Sequence, residues 1–153
     1  MQAEPGCLRQ MVEAYGQTGG NFVAVEELAE EHTSRYGILD AVEDDGRLAR
    51  AKGPVEKPAP ADAPSRLAII GRYILQPDVF ERLDKKVEGA GGEIQLTDAV
   101  AATLGTIPFH GLRIDGKRFD CGAKLGFVEA NVAFAAERDD LGGSIQEILK
   151  SYV

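Results

Sequence analysis

Several residue types are scarce in this chain of 153 residues, and each scarcity excludes a class of protein. The two cysteines, Cys7 and Cys121, are too few and too far apart for a disulfide framework or a zinc site. The two histidines, His32 and His110, have no cysteine or aspartate nearby at metal-ligand spacing. No apolar run approaches the roughly 18 residues that span a bilayer, and residues 1–10 lack the features of a signal peptide. The sequence therefore predicts a cytoplasmic protein with no membrane partner.

Positive charge is also in short supply. The chain has 17 Lys and Arg against 25 Asp and Glu, which gives a formal net charge of −8. Duplex nucleic acid is bound by concentrated basic side chains, and no basic cluster is present. We therefore expect no nucleic-acid partner and interpret the acidic excess as a contribution to solubility. The length and an apolar share of 44% are ordinary for one soluble globular domain.

The hydrophobic pattern changes period several times along the chain, which predicts mixed α/β structure. Apolar residues at helical spacing predict helices over 5–15, 77–87, 95–104 and 124–137, and a last helix from Ser144 to the C-terminus. Short apolar runs predict strands over 21–26, 35–42, 47–56, 67–75 and 107–114, and a further short one over 117–120. The proline-rich stretch 58–65 is interpreted as a loop within one domain, because strand signal resumes directly after it.

Two motifs on consecutive predicted strands combine residue types that packing alone does not require. Gly37 follows Tyr36 inside a strand, where a glycine marks either a β-bulge or close approach of a ligand or of another backbone segment. Glu56 and Lys57 end the next strand, in the sequence VEKP. Adjacent strand residues point to opposite faces, so this pair serves one site only if the chain bends at the proline. A carboxylate there suits sugar hydroxyls and an ammonium suits a phosphate; a solvated surface pair is the alternative.

Two later motifs precede predicted helices. A glycine turn over 89–92 opens the helix that contains Asp98, and the free N–H groups of a helix N-terminus suit an anion or a sugar. Glu93 and Asp98 are equally well explained as capping and helix-stabilising residues. Asp120, in the sequence FDCG, suits a magnesium ion held by few protein oxygens and by substrate phosphates. Its alternative role is that of a helix N-cap or turn former.

The order of these motifs resembles one family of enzymes. RYG, VEKP, LAIIGRYIL, GGEIQLTDA and DCG before KLG follow one another as in the bacterial UTP–glucose-1-phosphate uridylyltransferases, the UDP-glucose pyrophosphorylases. The resemblance covers nearly the whole chain but only the C-terminal portion of the family's pattern, because the family's GxGTR loop and an upstream metal-binding aspartate are missing. It implies α/β structure, the later half of a Rossmann-like nucleotidyltransferase α/β/α mixed sheet. Residues 1–153 would be the sugar-phosphate-binding portion of a single domain whose N-terminal nucleotide-binding portion is absent.

The resemblance also implies roles for particular residues. The substrate-binding residues that it implies are Gly37, Glu56, Lys57, Gly71 and Glu93. Glu56 would hydrogen-bond the sugar hydroxyls, and Lys57 would contact the sugar phosphate as a catalytic residue. Asp120 would be the second catalytic residue and the carboxylate that binds Mg²⁺, which is the cofactor that the resemblance implies.

The implied reaction is uridylyl transfer from UTP to glucose-1-phosphate, which gives UDP-glucose and pyrophosphate. The expected partners are therefore UTP, glucose-1-phosphate and UDP-glucose, with a homo-oligomer in the full-length form. An enzyme that uses dTTP, GTP or ATP is one alternative, because the family's base-reading residues lie upstream of the matched portion. We also expect the isolated chain to lack full activity, so a non-catalytic sugar-phosphate-binding or dimerisation fragment is the second alternative.

Overall fold

A computed structural model of the chain describes residues 1–86, 88 and 92–152, which form two compact units. The larger unit comprises residues 7–114, and the smaller unit comprises 1–6 together with 115–153. Of the glycine turn predicted over 89–92, only Gly92 belongs to the described residues.

The larger unit contains the predicted mixture of helices and strands. In chain order its elements are α1 (Cys7–Thr18), β1 (Asn21–Glu27), β2 (Gly37–Asp44), β3 (Leu48–Glu56), β4 (Leu67–Ile74), α2 (Pro77–Asp84), α3 (Leu96–Ala101) and β5 (Phe109–Arg113). Two short 3-10 helices, Glu30–Arg35 and Pro60–Asp62, join β1 to β2 and β3 to β4. Every helix and strand predicted for this unit is confirmed, with boundaries shifted by a few residues.

The start of β2 differs from the prediction because of the first 3-10 helix. Residues Glu30–Arg35 end in a hydrogen bond from the Tyr36 N–H to the Thr33 carbonyl at 3.2 Å. The strand β2 therefore begins at Gly37 rather than at residue 35. This helix was not predicted, because its residues are polar and show no apolar spacing.

The strands form one sheet that closes on itself in the order β1-β4-β2-β3-β5. β5 runs parallel to β1 and antiparallel to β3, and the remaining pairs are antiparallel. β2 and β3 form a hairpin whose open end pairs Gly37 with Glu56. The expected mixed sheet is thus confirmed, but its closure was not predicted, because β5 lies far along the chain from both strands that it pairs with.

The alternation of side chains along β1 divides the core of this unit between the two faces of the sheet. Val23 and Val25 belong to one buried cluster, whereas Phe22 and Ala24 belong to the other. The first cluster includes residues of α2 and α3, and the second includes Met11 of α1. Different helices therefore cover the two faces, and the ends of the strands remain as places where polar side chains meet.

A buried asparagine joins three elements at the beginning of β1. Asn21 is fully buried; its Nδ2 donates to the Thr103 hydroxyl at 3.1 Å, and its Oδ1 accepts the Gln76 backbone N–H at 2.7 Å. Gln76 precedes α2 and Thr103 follows α3, so both helices are tied to the strand. Burial of this polar side chain is tolerated because its donor and its acceptor are both used.

The Asp44–Arg113 ion pair links the ends of β2 and β5. The Arg113 guanidinium donates to both carboxylate oxygens of Asp44, at 2.7 and 2.8 Å, and the Gly46 N–H donates to Oδ1 at 3.0 Å. These hydrogen bonds, above all those from Arg113, lower the pKa of Asp44 from 3.8 to about 2. The Asp44 side chain is 36% exposed, so solvent screens the pair and reduces its contribution to stability.

Asp44→Asn is expected to lower the free energy of unfolding near neutral pH by about 1 kcal/mol, because a charge-assisted, partly screened pair is lost. Folding lowers the pKa of Asp44, so its contribution is complete above 3.8 and is lost as the pH falls through about 2. Urea unfolding of both proteins near neutral pH and near pH 2 measures this difference, which should shrink in acid. Asp62→Asn removes an exposed carboxylate of the same unit and is the control. An equal loss in the control, or a difference that persists in acid, would contradict the prediction.

The described part of the smaller unit contains α4 (Lys124–Glu137) and α5 (Gly142–Lys150). The bounds of α4 confirm the predicted helix, whereas α5 begins before Ser144, where its start was predicted. Much of the apolar surface predicted for α4 is exposed, and Leu125 is 80% exposed. No helix among the described residues is long and apolar enough to cross a membrane.

The prediction of a short strand over 117–120 is wrong. In this stretch Lys117 alone pairs with another segment, through two backbone hydrogen bonds with Gln2 at 2.7 and 2.8 Å. Only Phe119 is buried in the stretch, and its other residues are charged, so there is little apolar surface to hold a longer strand.

Candidate functional site

The predicted residues Gly37, Glu56 and Lys57 come together at the open end of the β2–β3 hairpin. Gly37 and Glu56 are paired across the two strands. An ideal Cβ at Gly37 would lie 3.4 Å from Oε2 of Glu56, so the glycine leaves room beside this carboxylate. The alternative explanation of Gly37 as a β-bulge is wrong, because the register shifts of the hairpin lie between Asp40 and Glu43.

Lys57 adopts a backbone conformation that brings its side chain back to Glu56. Its φ of 43° lies in the left-handed region, which residues other than glycine rarely adopt. The Lys57 N–H donates to the Tyr36 carbonyl at 3.1 Å and so holds the bend. As a result, Nζ of Lys57 lies 3.6 Å from Oε1 of Glu56, although adjacent residues of a strand normally face apart. The bend that the pair would need to serve one site is therefore present, at Lys57 itself rather than at Pro58.

Both charged side chains of this pair are open to solvent. Glu56 is 51% exposed and Lys57 is 63% exposed. An ion pair this exposed contributes little to stability, whereas the left-handed backbone of Lys57 costs about 1–2 kcal/mol. Backbone strain of this kind concentrates at functional sites. The pair offers one acceptor for hydroxyl groups and one donor for phosphate oxygens.

Ile69 and Tyr73 of β4, which were not predicted as site residues, form the apolar side of the site at the hairpin end. An ideal Cβ at Gly37 would lie 3.7 Å from Cδ1 of Ile69. Burial raises the pKa of the Tyr73 hydroxyl, and the charge of the Glu56 carboxylate raises it further. Ile69 and Tyr73 also pack against the buried cluster that α2 and α3 cover. Gly37, Glu56, Lys57, Ile69 and Tyr73 are called the hairpin-end cluster below.

Gly71, which the resemblance implies as a substrate-binding residue, lies between Ile69 and Tyr73 on β4. Val23 and Val25 of β1 pair with Tyr73 and Ile69, so three residues of β4 oppose a single residue of β1. Gly71 occupies the middle of this bulge with a φ of 73°, a conformation that favours glycine. Bulges redirect the neighbouring side chains and often lie next to functional sites. Gly71 thus shapes the strand that carries the apolar side of the cluster.

Asp120 lies in the smaller unit, in the turn that precedes α4. Its Oδ1 accepts the Gly122 N–H at 3.1 Å, and its carbonyl accepts the Ala123 N–H at 3.1 Å. The alternative role of Asp120 as the N-cap of α4 is wrong, because Ala123 occupies that position without a side-chain cap. Its role as a turn former is confirmed, and the residue is exposed.

The donors near Asp120 fit one kind of metal site. Within residues 1–86, 88 and 92–152, no group of three or more His, Cys, Asp or Glu side chains is placed to hold a metal ion. Magnesium is commonly bound through one or two carboxylates together with substrate phosphates. A single exposed carboxylate therefore fits a magnesium ion that binds with its substrate, and it does not fit a closed structural site.

Glu93 and the two cysteines are not members of the hairpin-end cluster. Glu93 is exposed in the bend before α3, and in the described part of the chain no hydrogen bond or ion pair joins it to the hairpin-end cluster. Both cysteines are free thiols; Cys7 is half-buried and Cys121 is exposed. Burial raises the pKa of the Cys7 thiol, which makes it a poor nucleophile.

Several known proteins are similar to this chain in sequence and in structure. A family model described as "Nucleotidyl transferase" matches residues 5–137. The UTP–glucose-1-phosphate uridylyltransferase of Komagataeibacter xylinus is 56% identical over 125 residues, which are 82% of this chain and 44% of that protein. The crystal structure of a UDP-glucose pyrophosphorylase complexed with UDP-glucose is 40% identical, with a TM-score of 0.78 over 88% of this chain and 51% of that one. A UTP-bound UGPase from Acinetobacter baumannii is 31% identical, with a TM-score of 0.81 over 93% and 49% of the two chains.

The region that this chain shares with its relatives covers only part of their length. The chain spans about half the length of the curated relatives it matches, between 44% and 53%. Within the chain, the match to the family model includes every residue of the hairpin-end cluster as well as Asp120.

Proposed function

Because the chain belongs to the nucleotidyl transferase family, we propose that it supplies the sugar-phosphate-binding portion of an enzyme that transfers a uridylyl group from UTP to glucose-1-phosphate. The observation that carries the proposal is the hairpin-end cluster, in which a carboxylate and an ammonium group lie 3.6 Å apart beside a residue without a side chain. This combination suits a phosphorylated sugar. Relatives named for UTP and glucose-1-phosphate, and one complexed with UDP-glucose, support the choice of substrates.

Each member of the cluster has a proposed role toward the sugar phosphate. The Glu56 carboxylate accepts hydrogen bonds from sugar hydroxyls, and Nζ of Lys57 donates to the phosphate. Gly37 allows the sugar to approach the backbone, and the apolar surface of Ile69 packs against the sugar ring. The side chain of Tyr73 covers the same side of the sugar as Ile69 does. The predicted substrate-binding roles of Gly71 and Glu93 are retained as part of the proposal, Gly71 through the bulge of β4 and Glu93 on sequence resemblance.

The proposed chemical step is an in-line displacement at phosphorus. A phosphate oxygen of glucose-1-phosphate attacks the α-phosphorus of UTP and forms a new P–O bond. The bond between the α-phosphorus and the oxygen that bridges to the β-phosphorus breaks, and its electron pair leaves with pyrophosphate. The attacking oxygen is already anionic, so no general base is needed. The chain therefore contributes positioning and charge, and Lys57 offsets the repulsion between the two anionic substrates.

Asp120 is the proposed magnesium ligand. When bound, the ion would neutralise charge on the phosphate oxygens of the substrates. The chain itself holds the ligand in place, since the Gly122 N–H donates to Oδ1 of Asp120 at 3.1 Å. This assignment makes Asp120 the second proposed catalytic residue, in addition to Lys57.

The proposal also covers location and partners. Two unpaired cysteines fit the reducing cytoplasm. A net charge of −8 without a basic cluster supports the expectation that nucleic acid is not a partner. The proposal that the full-length protein is a homo-oligomer rests on the sequence resemblance alone. We propose UTP rather than dTTP, GTP or ATP as the nucleotide substrate, because UTP is the nucleotide that the names of the relatives contain.

Calorimetric titration of the chain with glucose-1-phosphate and with UDP-glucose tests the proposal. We expect both to bind, and to compete with each other because they share the sugar-phosphate group. Failure of both ligands to bind would overturn the proposal. A separate assay for UDP-glucose formation from UTP, glucose-1-phosphate and Mg²⁺ should detect no turnover by the isolated chain; turnover would show that these 153 residues suffice for catalysis.

Gly37→Ala is expected to weaken the binding of glucose-1-phosphate about tenfold while leaving the stability of the fold nearly unchanged. The added methyl would make only ordinary contacts, 3.4 Å from Glu56 and 3.7 Å from Ile69, but it would fill the space beside the carboxylate. Calorimetric titration measures the affinity, and urea unfolding measures the stability. Gly16→Ala adds a methyl in open space on α1 and is the matched control. Equal affinities of the Gly37→Ala chain and the control would contradict the assignment of Gly37 to the site.

A further inference from the structure

Gly126, in the first turn of α4, lies against the backbone of Asp120. An ideal Cβ at Gly126 would be 2.3 Å from the carbonyl oxygen of Asp120 and 3.0 Å from its carbonyl carbon. A side chain cannot occupy that space unless the backbone of Asp120 moves, because close-packed backbone atoms have no rotamer by which to yield. Only a residue without a side chain lets the Asp120 peptide group rest on the helix in this way.

We infer that Gly126 is a positioning residue that sets the direction of the Asp120 carboxylate, an inference that rests on the proposed role of Asp120 as a magnesium ligand. The same carbonyl that touches Gly126 accepts the Ala123 N–H, and the carboxylate accepts the Gly122 N–H, each at 3.1 Å. Carbonyl and carboxylate therefore belong to one short turn that is supported by α4 at Gly126. A methyl group at this position would push the carbonyl outward by roughly 1 Å to reach an ordinary contact distance, and the carboxylate would move with it.

Gly143 of α5 provides the contrast that isolates this contact. An ideal Cβ at Gly143 meets nothing within 4 Å. Glycine is less favourable than alanine in a helix, so Gly143→Ala should raise the Tm slightly or leave it unchanged. Gly126→Ala should gain no such benefit, because its methyl group meets the Asp120 backbone. The two substitutions are chemically identical and differ only in what surrounds them.

Paramagnetic Mn²⁺, used in place of Mg²⁺ on the isotope-labelled chain with UDP-glucose present, reads the position of the carboxylate. Bound Mn²⁺ broadens the amide signals of nearby residues, so a titration gives the apparent affinity at Cys121 and Gly122. Gly126→Ala is expected to weaken this affinity about tenfold, because the displaced carboxylate no longer meets the ion at the short distance that such ions require. Gly143→Ala should leave the affinity unchanged, and Asp120→Asn should abolish the local broadening. In the Asp120→Asn background, Gly126→Ala should cause no further change, which a merely structural role of the glycine does not predict.

Ala123→Pro disturbs the same turn from the other side and keeps the test decisive if the Gly126→Ala chain does not fold. Proline removes the N–H that the Asp120 carbonyl accepts, without adding an atom at residue 126. The φ of Ala123 is −92°, about 10° beyond the range that proline adopts, so the ring requires only a small backbone rotation. We expect this variant to weaken Mn²⁺ binding several-fold while the remaining amide signals stay in place.

The outcomes separate this inference from the proposed function. Unchanged Mn²⁺ affinity in both Gly126→Ala and Ala123→Pro would overturn the inference and leave the proposed function standing. If the unsubstituted chain shows no broadening near Cys121, the metal role of Asp120 fails and the inference fails with it. Binding of glucose-1-phosphate at the hairpin-end cluster is measured independently, so it tests the proposed function in either case.

Discussion

Lys57→Ala is expected to weaken the binding of glucose-1-phosphate about 10- to 100-fold, the equivalent of about 1.5–3 kcal/mol for a lost charge-assisted hydrogen bond. Nζ of Lys57 is the cation of the hairpin-end cluster and lies 3.6 Å from the Glu56 carboxylate. Without it, Glu56 would face the sugar phosphate directly, and repulsion between the two anions would add to the loss. Calorimetric titration at low ionic strength measures the change. Added salt should reduce it, because Lys57 is 63% exposed and its charge is screened.

Lys52→Ala is the matched control for this prediction. Lys52 is exposed on the same strand, β3, and its removal changes the net charge of the chain by the same amount. Equal losses in the two variants would assign the effect to overall charge rather than to the cluster. The backbone at residue 57 keeps its φ of 43° with either side chain, so the free energy of unfolding should change by no more than about 0.5 kcal/mol. Normal binding by the Lys57→Ala chain would overturn the role proposed for this residue.

The composition of the cluster explains which of its members were predictable from the sequence. Gly37, Glu56 and Lys57 stand out because a glycine within a strand and a charged pair before a proline are unusual there. Their meeting point depends on the strand register and on the left-handed conformation of Lys57, and neither has a local signal. Ile69 and Tyr73 were missed because they read as ordinary strand residues. Only the pairing of β4 with β2, through Ala68 and Ile38, brings Ile69 close to Gly37.

The same division holds for the fold. Elements with strong local patterns were predicted well, and α4 was predicted with its observed bounds, Lys124–Glu137. The 3-10 helix Glu30–Arg35 was missed because it has no apolar periodicity. The buried network of Asn21 was missed because it joins residues that lie 55 and 82 positions apart. Closure of the sheet through β5 is a long-range pairing of the same kind, and its contribution to stability can be measured.

Gly20→Ala is expected to lower the free energy of unfolding by about 2–4 kcal/mol, from backbone strain together with overpacking. Gly20 has a φ of 90°, and an ideal Cβ there would lie 2.6 Å from the carbonyl oxygen of Pro108. Neither the backbone of Gly20 nor the backbone of Pro108 can move easily, because each is held by a hydrogen bond. The Pro108 carbonyl accepts the Asn21 N–H at 2.8 Å, and the Gly20 carbonyl accepts Nε2 of Gln76 at 3.0 Å. Urea unfolding followed by circular dichroism measures the loss.

Gly105→Ala separates the two causes of this loss. Gly105 has nearly the same φ, 91°, but an ideal Cβ there meets nothing within 4 Å. It should therefore cost only the backbone strain, about 1–2 kcal/mol. Equal losses of unfolding free energy at Gly20 and Gly105 would mean that the contact with Pro108 adds no destabilisation. The parallel pairing of β1 with β5 begins directly after Gly20 and Pro108, and β5 in turn pairs with β3. A larger loss at Gly20 would therefore mean that the close packing against Pro108, at the point where β1 and β5 begin to pair and close the sheet, contributes to the stability of the fold.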